Sequence, residues 1–209
     1  MPIRRFLIAR WMLFWLLLGL SSAHGACPPT TSKGLTCDAH TGPPPHRVFS
    51  GRVILFFAYT CPRCGPVHRA TLEWESKVGS VRIHRWHVGW HSKEFARVHY
   101  ALEKHRQAES LSQRLFDSIR EKTYTGPDEL VAWAEAGRYP ILARGFKETL
   151  ASKEAHEFVA GIDSLASNAM VDQLPTFVVN GKYRVSVLDG EPGTLAELET
   201  LLVSLKAER

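Results

Sequence analysis

The chain has 209 residues, 44% of them hydrophobic, enough for a packed core and too many for general disorder. That length allows one domain, or one domain with an insertion. The formal net charge is +5, but residues 1–26 hold Arg4, Arg5 and Arg10 and no acid; the remaining 23 basic and 21 acidic residues leave +2, too balanced to argue for nucleic acid. The first 26 residues read as a cleavable signal peptide. A basic start leads into ten apolar residues, Trp11 to Leu20, short for a membrane span, and then small residues up to Ala26. Lipidation of Cys27 is the lesser alternative, because lipoprotein signals carry an apolar residue where this chain has His24. Export implies an oxidising compartment, where cysteine pairs form disulfides.

Residues 27–49 read as an irregular extension, with Pro43 to Pro45 consecutive and no apolar periodicity. Cys27 and Cys37 could close a small structural disulfide; four cysteines allow three pairings, so spacing does not decide it. Arg52 to Tyr59 is a buried strand by its continuous apolar run. A helix follows through Lys77, with Pro66 placed to remove one ladder bond and kink it. Val81 to Val88 alternates as a second strand. From Ser92 the period turns helical and stays so to about residue 166: Phe95, Val98 and Leu102 mark one apolar face, Leu111, Leu115, Phe116 and Ile119 another. A short helix ends near Gly137, Pro140 and Gly145 punctuate, and Ser152 is placed to cap a long helix. The period then returns to two. Thr176 to Val179 and Lys182 to Val187 flank Asn180-Gly181, a strong hairpin signal. Leu195, Leu198, Leu201, Leu202 and Leu205 mark a closing helix.

The chemistry concentrates in Cys61-Pro62-Arg63-Cys64, between the first strand and its helix. Unpaired N–H groups and the dipole at a helix start favour an anion, and Arg63 adds a cation. Both lower the Cys61 pKa. Pro62 suits the first helical position, since its missing N–H would have no partner there. Cys64 is placed to attack a mixed disulfide formed at Cys61.

Phe56 to Cys64 and Leu174 to Tyr183, with a helical block between them, resemble the DsbA family of periplasmic thiol:disulfide oxidoreductases, over roughly residues 50 to 206. The resemblance implies an α/β thioredoxin-like fold with an all-helical insertion subdomain. Residues 50–91 and 167–209 would form the thioredoxin-like part and residues 92–166 the insertion. It implies a nucleophile at Cys61, a buried resolving thiol at Cys64, and a cis-proline at Pro175 that turns Leu174 toward the site for a substrate strand. It further implies a monomer with no separate cofactor, acting on exported proteins with reduced cysteines. A DsbB-type membrane oxidase would re-oxidise it. Three positions depart from the family pattern: Arg63 replaces a common His, Leu55 replaces a buried acid, and Leu174 replaces a frequent Val. The different-class reading is a metal-binding module using the Cys-x-x-Cys, with His84, His87 and His91 nearby; facing opposite ways on a strand weakens that histidine set. Isomerase or reductase activity is the alternative within the redox class.

Overall fold

The computed structural model describes residues 26–40, 46–78, 81–136 and 143–208. The leader through residue 25, the prolines at 43–45, Gly137 and Pro140 lie outside them. Five strands, β1 (Leu35–Ala39), β2 (Val53–Phe57), β3 (Ile83–His87), β4 (Thr176–Val179) and β5 (Tyr183–Val187), form one sheet in the order β1-β5-β4-β2-β3. The helices are α1 (Cys64–Val78), α2 (Lys93–Lys104), α3 (Ala108–Arg120), α4 (Pro127–Ala136), α5 (Ala143–Ala151), α6 (Lys153–Asn168) and α7 (Pro192–Ala207).

The run Val-Ile-Leu-Phe-Phe makes β2 buried at all five positions, as an interior strand covered on both faces requires. Phe56 points to one face, against Phe49 and Trp86. Phe57 points to the other, against Tyr59, His68, His87, His99 and Phe116. Each such side chain contributes about 1.5–3 kcal/mol by leaving water. The β2–β3 pair is parallel, and α1 provides the crossover that a parallel pair needs. β4 and β5 are antiparallel. Asn180 and Gly181 both have positive φ, 53° and 70°, the geometry of a primed two-residue turn, which Lys182 N–H closes on Val179 O at 2.9 Å.

β3 is an edge strand, and side chains meet its outward backbone groups. Ile83 N–H donates to Glu75 Oε1 at 2.6 Å. Arg85 Nη1 donates to Ile83 O at 3.1 Å, and His99 Nε2 donates to Arg85 O at 3.0 Å. Glu75 and Arg85 form an ion pair at 2.5 Å. Between β3 and β4 the described elements are all helical, with Ser92 and Ser152 capping α2 and α6.

Three local expectations need correction. Residues 27–49 are not irregular throughout: Leu35–Ala39 is β1, antiparallel to β5. This strand is short and carries Cys, Thr and Asp, so periodicity alone does not reveal it. Pro66 lies in the first turn of α1, where its absent N–H costs no ladder bond, so the kink it was expected to cause loses its basis. Gly145 falls inside α5 rather than breaking the chain.

Candidate active site

Cys61 and Cys64 are both free thiols. The turn Cys61–Arg63 leads directly into α1, which starts at Cys64, so Pro62 sits in the turn two residues ahead of the helix and not at its first position as expected. Cys64 is fully buried and Cys61 is 6% exposed. Cys64 N–H donates to Cys61 O at 3.1 Å, and Cys61 N–H to Ala58 O at 3.1 Å. These bonds hold both sulfurs on the C-terminal end of β2.

The two thiols are pushed apart in acidity. Cys61 is lowered to about 7, first by the hydrogen bond from the Cys64 thiol, then by the backbone N–H groups of Cys64 and Arg63, and last by the Arg63 charge; burial opposes them. Cys64 is raised well above its ordinary value by burial, then by its hydrogen bond and charge interaction with Cys61. The helix-start reading therefore holds through backbone donors. The guanidinium contributes least because Arg63 Nη1 is turned to Leu188 O, at 3.0 Å.

Opposite the dithiol, the Leu174–Pro175 peptide bond is cis. The Cys61 thiol donates to Leu174 O at 3.7 Å. Pro175 O accepts from Val187 N–H at 3.0 Å, and Thr176 Oγ1 donates to Gln173 O at 2.8 Å, which ties this corner to β5 and to its own turn. A depression of about 300 Å³ opens here, lined by Cys61, Arg63, Trp90, His91, Asp172 and Leu174 among others. A larger cavity of about 550 Å³ runs along the outer edge of β3 and includes none of the dithiol residues.

Sequence reasoning missed the layer behind the dithiol. Tyr59 N–H donates to His87 Nε2 at 3.0 Å, and His87 Nδ1–H donates to Val88 O at 2.9 Å. His99 Nε2–H is committed to Arg85 O, so its Nδ1 accepts from the Tyr59 hydroxyl at 3.0 Å, and that hydroxyl accepts from Ser112 at 2.7 Å. Burial is the first cause that keeps these imidazoles neutral: His99 is lowered to about 4, and His87 also falls well below its ordinary value. His87 and Tyr59 sit at strand ends, which is a signal of proximity to the dithiol; the bond to His99 crosses 40 residues and leaves none. His91, with Nδ1 2.8 Å from Thr60 Oγ1, and the fully engaged ring of His87 do not converge with His84. Among the described residues no group of three His, Cys, Asp or Glu could hold a metal ion. Cys27 and Cys37 are joined in a disulfide, away from the free pair.

A free dithiol at a strand-to-helix turn, beside a cis-proline at the same end of a mixed sheet, defines a class: proteins that exchange thiols and disulfides. The thioredoxin family model matches residues 50–202. The thiol:disulfide interchange protein DsbA of Burkholderia cepacia is 26% identical over 95% of this chain and 98% of its own. That of Bordetella pertussis is 24% identical over 84% and 88%. The crystal structure of DsbA from Xylella fastidiosa superposes with a TM-score of 0.64 at 24% identity, covering 82% of this chain and 95% of that one. The chain belongs to the thioredoxin family, as a thiol:disulfide oxidoreductase of the DsbA kind.

Proposed function

We propose that the protein is a periplasmic dithiol oxidase that donates a Cys61–Cys64 disulfide to reduced cysteines of exported proteins. The observation that carries this is the free pair beside the Leu174 carbonyl with its two thiols split in acidity: Cys61 is the one that ionises first, and Cys64 keeps its proton. A client thiolate attacks Cys61 Sγ; the Cys61–Cys64 bond breaks and Cys64 leaves, taking up a proton. A second client thiolate attacks the client sulfur of the mixed disulfide, and Cys61 leaves as thiolate. The client loses two electrons and the dithiol gains them. Pro62 and Arg63 shape the turn that presents Cys61. Leu174 and Pro175 receive the client segment, because the Leu174 carbonyl already lies at Cys61.

Magnitudes decide what the acidity of Cys61 contributes. With a pKa of about 7 rather than the ordinary 9.0, ionisation stabilises the reduced form by about twofold at pH 7 and about tenfold at pH 8. At neutral pH its first benefit is a good leaving group. The remaining parts of this reading are cleavage of residues 1–26, a monomeric state, re-oxidation by a DsbB-type membrane oxidase, and a helical insertion over 92–166.

The test is the equilibrium of the 61–64 pair with glutathione. Millimolar reduced glutathione should reduce the disulfide. A pair that stays oxidised under those conditions would reverse the electron flow and make the protein a reductant.

A further inference from the structure

Beside Cys61, the depression carries an aromatic side chain that the thiol chemistry does not use. Trp90 is 48% exposed, the most exposed of the large hydrophobic side chains described, and it lines the same hollow as Cys61 and Leu174. The loop that carries it is fastened from two sides. Asp163 Oδ1, on α6, accepts from Gly89 N–H at 2.6 Å and from Trp90 N–H at 3.3 Å. His91 bonds to Thr60, the residue before Cys61, and its ring lies 5.8 Å from that of Trp90. Gly89 is required at this approach: a Cβ there would run into Val159 Cγ1 and lie 2.7 Å from Asp163 Oδ2. A carboxylate from another element thus pins the backbone that carries an exposed indole, and a preorganised backbone lowers the cost of binding.

We propose that Asp163 is a positioning residue for client recognition, and that the Trp90 indole, carried beside Cys61 on the backbone Asp163 pins, stacks on an aromatic or aliphatic side chain next to the client's cysteine. This rests on the dithiol-oxidase reading and names the client class for the same site. The client segment reaches Cys61 between the Leu174 carbonyl and the indole. Its reactive sulfur meets Cys61 while the neighbouring side chain covers the Trp90 face. Asp163 touches neither sulfur, so it acts on affinity and leaves the thiol equilibrium alone.

Two dithiol peptides that differ only in Phe or Ser beside the first cysteine, given to the full-length protein, test this. In the wild type KM should be lower for the Phe peptide. Asp163→Ala should raise KM for the Phe peptide about threefold to tenfold, the range of an aromatic contact, with kcat, the Ser peptide and the glutathione equilibrium unchanged. Trp90→Ala should remove the same preference, and the double variant should be no worse than Trp90→Ala. An equal rise in KM for both peptides, a shifted glutathione equilibrium, or additive effects in the double variant would overturn the proposal. If Asp163→Ala does not fold, Gly89→Ala displaces the same loop by crowding, and a Phe-to-Ser ratio kept at the wild-type value overturns the proposal. Wild-type protein that oxidises neither peptide would sink the oxidase reading instead, a result distinct from any change in the ratio.

Discussion

The Cys64 thiol hydrogen bond ranks first among the causes that lower the Cys61 pKa, and the Arg63 charge ranks last. Cys64→Ala should therefore raise the Cys61 pKa by about one unit, as loss of a charge-assisted bond implies. Arg63→Ala should move it far less, because its backbone N–H remains. Thiolate absorbance against pH checks both, and the opposite ranking would refute the assignment. The same shift makes stability depend on pH. A thiol whose folded pKa is lowered from 9.0 to about 7 stabilises the folded reduced protein fully above 9.0, and loses that stabilisation as pH falls through 7. Cys64, raised in the folded state, works the other way, but only where the unfolded thiol ionises near its ordinary 9.0, so it trims the gain at the top of this window. The reduced protein should thus gain stability relative to the oxidised protein between pH 7 and 9, measured as the difference in their urea midpoints. At this scale the pair of cysteines, their order and their helix start are legible in the chain. The direction of the Arg63 side chain is not, because Leu188, its acceptor, lies 125 residues away.

Strand and helix starts carry local chemistry, which is why β2, the Asn180-Gly181 turn, and the caps Ser92 and Ser152 can be read directly from residue patterns. Where an element is held by distant partners the pattern is silent. β1 exists because β5 pairs with it, Glu197 accepts from Thr31 and Ser32 N–H at 2.5 and 2.7 Å, and Cys27 bonds Cys37. The disulfide closes a loop of sequence separation 10, for which chain entropy gives about 3 kcal/mol. Replacing Cys27 and Cys37 together by Ser should lower the unfolding free energy by about 2–3 kcal/mol in urea. No loss of stability would show that the sheet holds β1 unaided.

For the whole molecule, the unusual load is three buried histidines, His68, His87 and His99, gathered around Phe57. Burial is the first cause lowering each, to about 3 for His68 and about 4 for His99. Below the ordinary value of 6.5 the unfolded chain binds protons that the folded chain refuses. Stability should therefore be complete above 6.5 and fall as pH drops toward 4, with about three protons taken up on unfolding near pH 5. Denaturant midpoints from pH 7 to 4 measure this, and a flat profile across that range would contradict it. The sheet edge sets the other condition on the molecule at large. A bare strand is a template on which extended polypeptide can polymerise. With Glu75, Arg85 and His99 bonded to Ile83 N–H, Ile83 O and Arg85 O, β3 offers a passing chain fewer groups to pair with. An edge blocked in this way is a poorer template, and the molecule is less readily drawn into an aggregate.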